Sequence, residues 1–300
     1  MSLQRYLDVV DDADAFLCAA ERPLPRVIWA NPLRQDPAKT AEEVRRLCPE
    51  AEPLAWRPDA WRLPPEVKPG RWVPWMYGRV HGQEEASLLA ASLVDAQPGE
   101  RILDLCAAPG GKTAGLAVAM ADRGTLVAND RSYGRLSAIR RVLDRLGVTC
   151  AAVTCGNGVH FPAYPGGYDR ILVDAPCTCE GTSRKPGGHQ DVTSERYRRT
   201  IVQIQTALLR RALRLVRPGG RVVYSTCTYA PEENEAVLEA ASTEPFTIEP
   251  VVAPAGLRLA PGLPAWQGQT FRPDVVNAVR LWPHHNDTGG FFVAVLKQGA

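Results

Sequence analysis

A chain of 300 residues, 45% hydrophobic and 23% charged, has the composition of a globular protein with one large domain and a smaller one. It contains no run of about 18 apolar residues, and the front segment MSLQRYLDVVDD is too acidic for a signal peptide, so a cytoplasmic protein without a membrane partner is expected. A net charge of only +2 means that any nucleic-acid binding must come from a local basic face, and eight cysteines without a C-x-x-C pair read as reduced thiols, some of them chemical, rather than as staples.

In chain order, residues 2–20 read as a helix with Ser2 as its cap and Leu3, Tyr6, Leu7 and Val10 on one face. PRVIWANPLR follows as a strand, DPAKTAEEVRRLC as a short helix and LAWRP as a second strand. These make a small α+β unit over residues 1–78, ending in a Pro- and Trp-rich connector whose aromatics suit packing between domains better than stacking on bases. From residue 79 to 300 the rhythm becomes strand, turn, helix, which signals a parallel sheet covered on both faces. GQEEASLLAASLVDAQPGE is a helix closed by Pro98 and Gly99. RILDL, TLVAND, VTCAAVTC and YDRILVDAP are strands one to four, with the helix SYGRLSAIRRVLDRLG between two and three. The long helix SERYRRTIVQIQTALLRRALRLV ends at Pro218 and Gly219, strand five is GRVVYSTCTYA, and APEENEAVLEAA is a further helix. FTIEP is a short strand, and the chain closes on FFVAVLK after a Pro- and Gly-rich loop.

RILDLCAAPGGKT holds the chemistry together. Ala107, Ala108, Gly110 and Gly111 carry almost no side chain, so backbone N–H groups and a helix N-terminus can approach a polar ligand. A phosphate-cradling loop needs G-x-x-x-x-G-K-[ST], and Gly111, Lys112 and Thr113 fit, but Cys106 stands at the first glycine position. The dinucleotide fingerprint G-x-G-x-x-G is not supplied either. An S-adenosylmethionine loop needs a small-residue turn after strand one and a carboxylate closing strand two for ribose hydroxyls, and Asp130 supplies it.

Ligands of an open parallel sheet bind beyond the carboxyl ends of its strands. Those ends carry Cys106, Asp130, Gly156-Asn157, Asp174-Ala-Pro-Cys177 and Ser225-Thr-Cys227, so two cysteines and two carboxylates converge. A thiolate that attacks carbon 6 of a pyrimidine turns carbon 5 into an enamine carbon able to take a methyl group. Lys112 is the cation that favours the thiolate, and Asp174 can accept from the exocyclic amine of cytosine.

DLCAAPGGKT, DAPC, STCTY followed by PEENE, and RLWPHHNDTGGFFVAVL together resemble the Sun/Nop family of RNA cytosine-5 methyltransferases, bacterial ribosomal RNA type, over about residues 79–300. The resemblance implies a Rossmann-like class I methyltransferase, a mixed seven-stranded α/β sheet with helices on both faces, and a small N-terminal α+β domain. It implies Cys227 as nucleophile and Cys177 as the thiol that assists release, with Asp174 and Lys112 beside them. It also implies an S-adenosylmethionine site from Cys106, Ala107, Ala108, Pro109, Gly110, Gly111, Lys112, Asp130, Arg135, Asn157 and Asp174. The partner implied is ribosomal RNA, with transfer RNA as alternative, bound by a monomer; no metal ligand is expected. Three positions depart from the pattern: Asn157 where an Asp is usual, Thr178-Cys179-Glu180-Gly181 for Ser-Gly-x-Gly, and Gly289-Gly290 for Asp-Gly.

Basic residues for RNA phosphates are Arg184, Lys185, Arg196, Arg198 and Arg199, with Arg26 and Arg34 in the front unit, while Arg210, Arg211 and Arg214 read as a solvated helix face. A nucleotide hydrolase using GGKT and ILVDAP, and a non-catalytic RNA-binding protein, are the competing readings.

Overall fold

The computed structural model describes residues 3–185 and 194–299. The single helix expected over residues 2–20 is instead a 3-10 turn, Leu3–Tyr6, and a helix α1, Ala13–Glu21, with Ser2 outside the described residues. Asp12 takes an extended backbone and its side chain accepts from Ala15 N at 2.9 Å, so a cap starts the helix afresh in mid-stretch. Strand β1 (Arg26–Ala30) leads to α2 (Pro37–Leu47), which Asp36 caps. Then come β2 (Glu52–Leu54), β3 (Arg57–Leu63), the short helix α3 (Val73–Met76) and β4 (Val80–Gly82). These strands form an antiparallel sheet in the order β2-β3-β1-β4. LAWRP straddles the turn between β2 and β3, and β3 occupies the front of the expected connector. The small sheet runs past residue 78 to Gly82 because β4 pairs with β1.

The larger part begins with α4 (Glu85–Leu93), β5 (Arg101–Asp104), α5 (Gly111–Ala119) and β6 (Thr125–Asp130). It continues with α6 (Tyr133–Leu146), β7 (Ala151–Cys155), β8 (Tyr168–Asp174), α7 (Glu195–Leu215) and β9 (Val216–Thr226). After α8 (Glu235–Ala240) come β10 (Phe246–Glu249), β11 (Ala260–Pro261) and the small hairpin of β12 (Ala265–Trp266) and β13 (Gln269–Thr270). β14 (Val279–Leu281), α9 (Pro283–Asn286) and β15 (Phe291–Gln298) complete it.

The expected seven-stranded mixed sheet is present in the order β14-β15-β9-β8-β5-β6-β7, and two short strands extend it, β11 beside β14 and β10 beside β15. β5 to β9 are parallel, and β15 enters antiparallel against β9. The near-continuous apolar runs follow from burial on both faces. Leu103, Ile171 and Val222 face Leu208, Leu209 and Ala212 of α7, while their neighbours Ile102, Leu172 and Val223 face Leu89 of α4 and Leu116 of α5. The chain crosses from β7 at one edge back to β8 beside β5, so the carboxyl ends of β5, β8 and β9 lie side by side. No helix among the described residues is long and apolar enough to cross a membrane.

Candidate active site

β5 ends at Asp104, and the chain turns into α5 through Gly110, whose φ is 106° and whose added Cβ would meet Ile139 Cα at 3.1 Å. Only glycine turns there without strain. A cavity of about 360 Å³ opens at this rim. Asp104, Cys106, Ala107, Ala108, Pro109, Gly111 and Lys112 line it, together with Asp174 and Cys227. His81, Gln83 and Glu84 from the end of the small sheet, none of them expected from the sequence, complete it together with Lys185, expected as an RNA contact, and Gly289 to Phe291 before and in β15.

Asp104 is buried, accepts from Thr113 Oγ1 at 2.7 Å, and leaves Oδ1 without a partner. Burial pushes its carboxyl up to about 7, with the Asp174 charge adding and the Thr113 hydrogen bond and Lys112 opposing. A buried carboxyl oxygen without a partner, in the wall of a cavity floored by small residues, fits a ligand that brings a hydrogen-bond donor, as the amino end of S-adenosylmethionine does. The signal for it was the Asp inside an otherwise apolar strand.

Lys112 Nζ donates to Asp174 Oδ2 at 2.7 Å, and Ser225 Oγ donates to Asp174 Oδ1 at 2.8 Å. Burial alone would lower the Lys112 pKa, but the adjoining carboxylate more than offsets this and raises it. Lys112 therefore stays charged and pinned, a geometry made for neutralising Asp174 rather than for cradling phosphate.

Cys177 Sγ lies 3.4 Å from Cys227 Sγ. Cys177 is buried, whereas half-buried Cys227 reaches the cavity wall. A third thiol, Cys179, stands 3.8 Å from Cys177. Hydrogen bonds from Cys177 and Cys227 bring the Cys179 thiol down to about 4. The hydrogen bond with Cys177 lowers Cys227, but that with Cys179, burial and the Cys179 charge raise it more, to about 11. Lys112 also pulls Cys227 down, yet the sum stands above an ordinary thiol.

PEENE holds both cysteine loops. Buried Glu233 accepts from Thr178 N at 2.9 Å, Thr178 Oγ1 at 2.5 Å and Gln205 Nε2 at 2.9 Å, which fixes the residue after Cys177. Asn234 accepts from Thr226 Oγ1 at 2.6 Å and donates to Thr228 O at 3.1 Å, bracketing Cys227. Gly181 N donates to Cys227 O at 3.0 Å, and Gly290 N to Gly181 O at 2.9 Å. A Cβ at Gly290 would lie 2.0 Å from the Tyr229 ring.

Asp130, Arg135 and Asn157 do not line this cavity. Asp130 accepts from Ala108 N at 3.2 Å and Ser132 N at 2.9 Å, and Arg135 donates to Ala108 O at 2.7 Å, so this pair braces the loop from behind. Asn157 Oδ1 accepts from Val159 N at 3.1 Å and so caps a 3-10 turn.

The basic set divides. Arg184 is buried and donates to Arg22 O, Pro23 O and Thr288 O besides pairing with Asp287, so it ties the front segment to the β15 approach and is not a phosphate contact. Arg198 pairs with Glu180 at 2.9 Å, and Arg34 donates to the last carbonyls of α6. Arg26 donates to Val67 O. Arg210 and Arg211 are half-buried on carbonyls rather than solvated. Lys185, Arg196 and Arg199 remain exposed, and Lys185 lines the cavity.

Residues 91–297 match the family described as 16S rRNA methyltransferase RsmB/F. The chain is 31% identical over 302 residues to a tRNA (cytosine(49)-C(5))-methyltransferase of Pyrococcus abyssi, covering 99% of this chain and 95% of that one. It is 30% identical to Ribosomal RNA small subunit methyltransferase F of Erwinia tasmaniensis, covering 99% of this chain but only 62% of that protein. A methyltransferase homologue from Pyrococcus horikoshii has the same fold, with a TM-score of 0.87 at 29% identity over 98% of this chain and 93% of that one. Its strand order, its thiol pair beside a small-residue loop and these matches say the same thing: the chain belongs to the Sun/Nop family of S-adenosylmethionine-dependent RNA cytosine-5 methyltransferases.

Proposed function

We propose that this protein methylates carbon 5 of a cytosine in ribosomal RNA, as a cytoplasmic monomer, through a covalent bond between Cys227 and carbon 6 of the base. The observation that carries the reading is the pair of sulfurs 3.4 Å apart at neighbouring strand ends, one buried and one in the cavity wall, beside the Lys112–Asp174 ion pair. S-adenosylmethionine supplies the methyl group, and Cys106 to Lys112, with Asp104 added to the expected set, would hold it, while Asp130 and Arg135 keep that loop in place. Asp174 accepts from the exocyclic amine of cytosine, and Lys112 holds the Asp174 carboxylate in place for this task. The Cys227 thiolate adds to carbon 6, so electron density moves to carbon 5, and after methyl transfer the carbon 5 proton leaves as the sulfur–carbon bond breaks. Cys177, behind Cys227, assists that release. The division of labour is between residues 1–82, a small RNA-contacting unit, and the catalytic sheet that follows.

The two cysteines leave opposite traces. Cys227→Ala should abolish methylation and form no adduct, whereas Cys177→Ala should attack and stall, leaving protein bonded to RNA. A denaturing gel with labelled RNA and S-adenosylmethionine should show a shifted band for Cys177→Ala alone. A shifted band from Cys227→Ala instead would exchange the roles. The matched family description and the Erwinia relative support ribosomal RNA. The near-full-length match to the archaeal relative favours transfer RNA as a second reading. Bisulfite sequencing of total RNA with and without the gene separates them: a protected cytosine lost from transfer RNA would replace the first reading.

A further inference from the structure

The turn after β8 carries a thiol that the methyl transfer leaves unused. Cys179 stands at the first glycine position of the Ser-Gly-x-Gly pattern, and its φ of 58° is in the left-handed region where a side chain is disfavoured. A sulfur is thus held in a conformation that glycine would adopt freely. It points into the catalytic pair: Cys179 Sγ lies 3.8 Å from Cys177 Sγ, Cys177 Sγ lies 3.4 Å from Cys227 Sγ, and all three sulfurs lie within 4.8 Å of one another.

These separations are those of a metal site. A tetrahedral ion with sulfurs about 2.3 Å away holds them about 3.8 Å apart, close to both measured edges. A disulfide would need about 2.05 Å. The three backbones are restrained independently, with Thr178 held by Glu233, Cys227 O by Gly181 N, and Cys179 O by Thr182 N at 2.9 Å and Thr182 Oγ1 at 2.8 Å, so the cluster is built before any ion arrives. Three ionised sulfurs so close repel one another and the neighbouring Asp174 and Glu233, and a cation relieves this.

We propose that Cys177, Cys179 and Cys227 form a binding site for one thiophilic metal ion, zinc or copper(I), whose occupation withdraws both reaction thiols. Three metal–sulfur bonds form and the thiol protons pass to solvent, with no change of oxidation state. A fourth ligand would be water from the cavity that Cys227 lines. The site asks nothing of RNA or of the assignment of nucleophile, so it stands apart from the proposed reaction.

The test uses the full chain in a phosphine reductant, which keeps thiols reduced without offering one. Cobalt(II) stands in for zinc because its thiolate complexes absorb in the near ultraviolet. The native protein should show a charge-transfer band that saturates at one ion per chain and is displaced by zinc. Cys179→Gly, which suits the left-handed backbone, should weaken cobalt binding by at least about tenfold. In the methylation assay, the zinc concentration that halves the native rate should rise by a similar factor in Cys179→Gly, each compared with its own zinc-free rate. Absence of the band would leave any metal at the sulfur-free Asp11, His284 and His285 cluster, and a band of equal affinity in Cys179→Gly would place it on other thiols such as the exposed Cys18 or Cys155; either result would overturn the proposal. Should the protein methylate nothing, the spectroscopic arm still decides the site.

Discussion

Asp104 sets the electrostatics of the cavity floor. Its carboxyl, raised to about 7 by burial, keeps its proton in the folded state while the unfolded chain loses it near 3.8. Between those values the unfolded state binds fewer protons than the native one, so this group's contribution to stability falls as pH rises from about 4 and is fully lost above about 7. Asp104→Asn keeps the shape and can still accept from Thr113. Its urea midpoint should match the native one near pH 4, exceed it increasingly up to about pH 7 and keep a constant lead above that. A difference that does not change with pH would mean that Asp104 ionises like an exposed aspartate.

At the scale of elements, the strand ends carry the chemistry and the turns between them carry the restraints. α8 begins within PEENE so that Glu233 and Asn234 reach back to the loops after β8 and β9, and Tyr224 of β9 donates to Glu233 O at 2.6 Å. The start of α7 offers Arg196 and Arg199 to solvent, and Arg199 pairs with Glu195, an exposed pair worth little. Replacing Lys185, Arg196 or Arg199 by Gln should weaken RNA binding for every sequence and reduce the slope of log affinity against log salt by about one unit each. Arg184→Gln should leave that slope alone and lower the unfolding midpoint instead, because three backbone carbonyls lose their donor. Unchanged slopes for all three exposed residues would put RNA on another face.

The small sheet is stitched to the large one by buried and part-buried polar bonds, so the whole molecule is expected to unfold as one unit. Asn31 Nδ2 donates to Leu146 O at 2.8 Å, Arg62 to Glu85 and to Asn286 O at 2.7 Å, and Trp56 Nε1 to Glu85 Oε1 at 2.9 Å. Tyr6 donates to Glu180 in the loop that carries Cys179. Five of the seven tryptophans lie before residue 79, so their fluorescence reports the front unit while far-ultraviolet circular dichroism reports the whole. The two urea transitions should coincide. A fluorescence transition at lower urea would show that residues 1–82 unfold separately.

The sequence by itself determined the strand and helix rhythm from residue 79 onward, the small-residue loop, and the two cysteines after Pro176 and Thr226, because periodicity and turn residues are local properties. It also carried the sheet's class, since apolar runs such as Ile171 to Val173 leave a strand no solvent face. What it did not carry depends on which residues meet across the fold. Asp12 broke the first helix because a cap competes with periodicity, and Arg184 left the RNA surface because carbonyls 162 and 104 residues away in sequence take up its guanidinium. That Asp130 and Arg135 brace the loop was also not legible, as their partner is the backbone of Ala108. In the sequence Cys179 is only a departure from the Ser-Gly-x-Gly pattern; the left-handed turn is what places its sulfur against Cys177. Tertiary structure alone decided these, because a side chain's role is set by the charges and dipoles it touches, and most of those come from elsewhere in the chain.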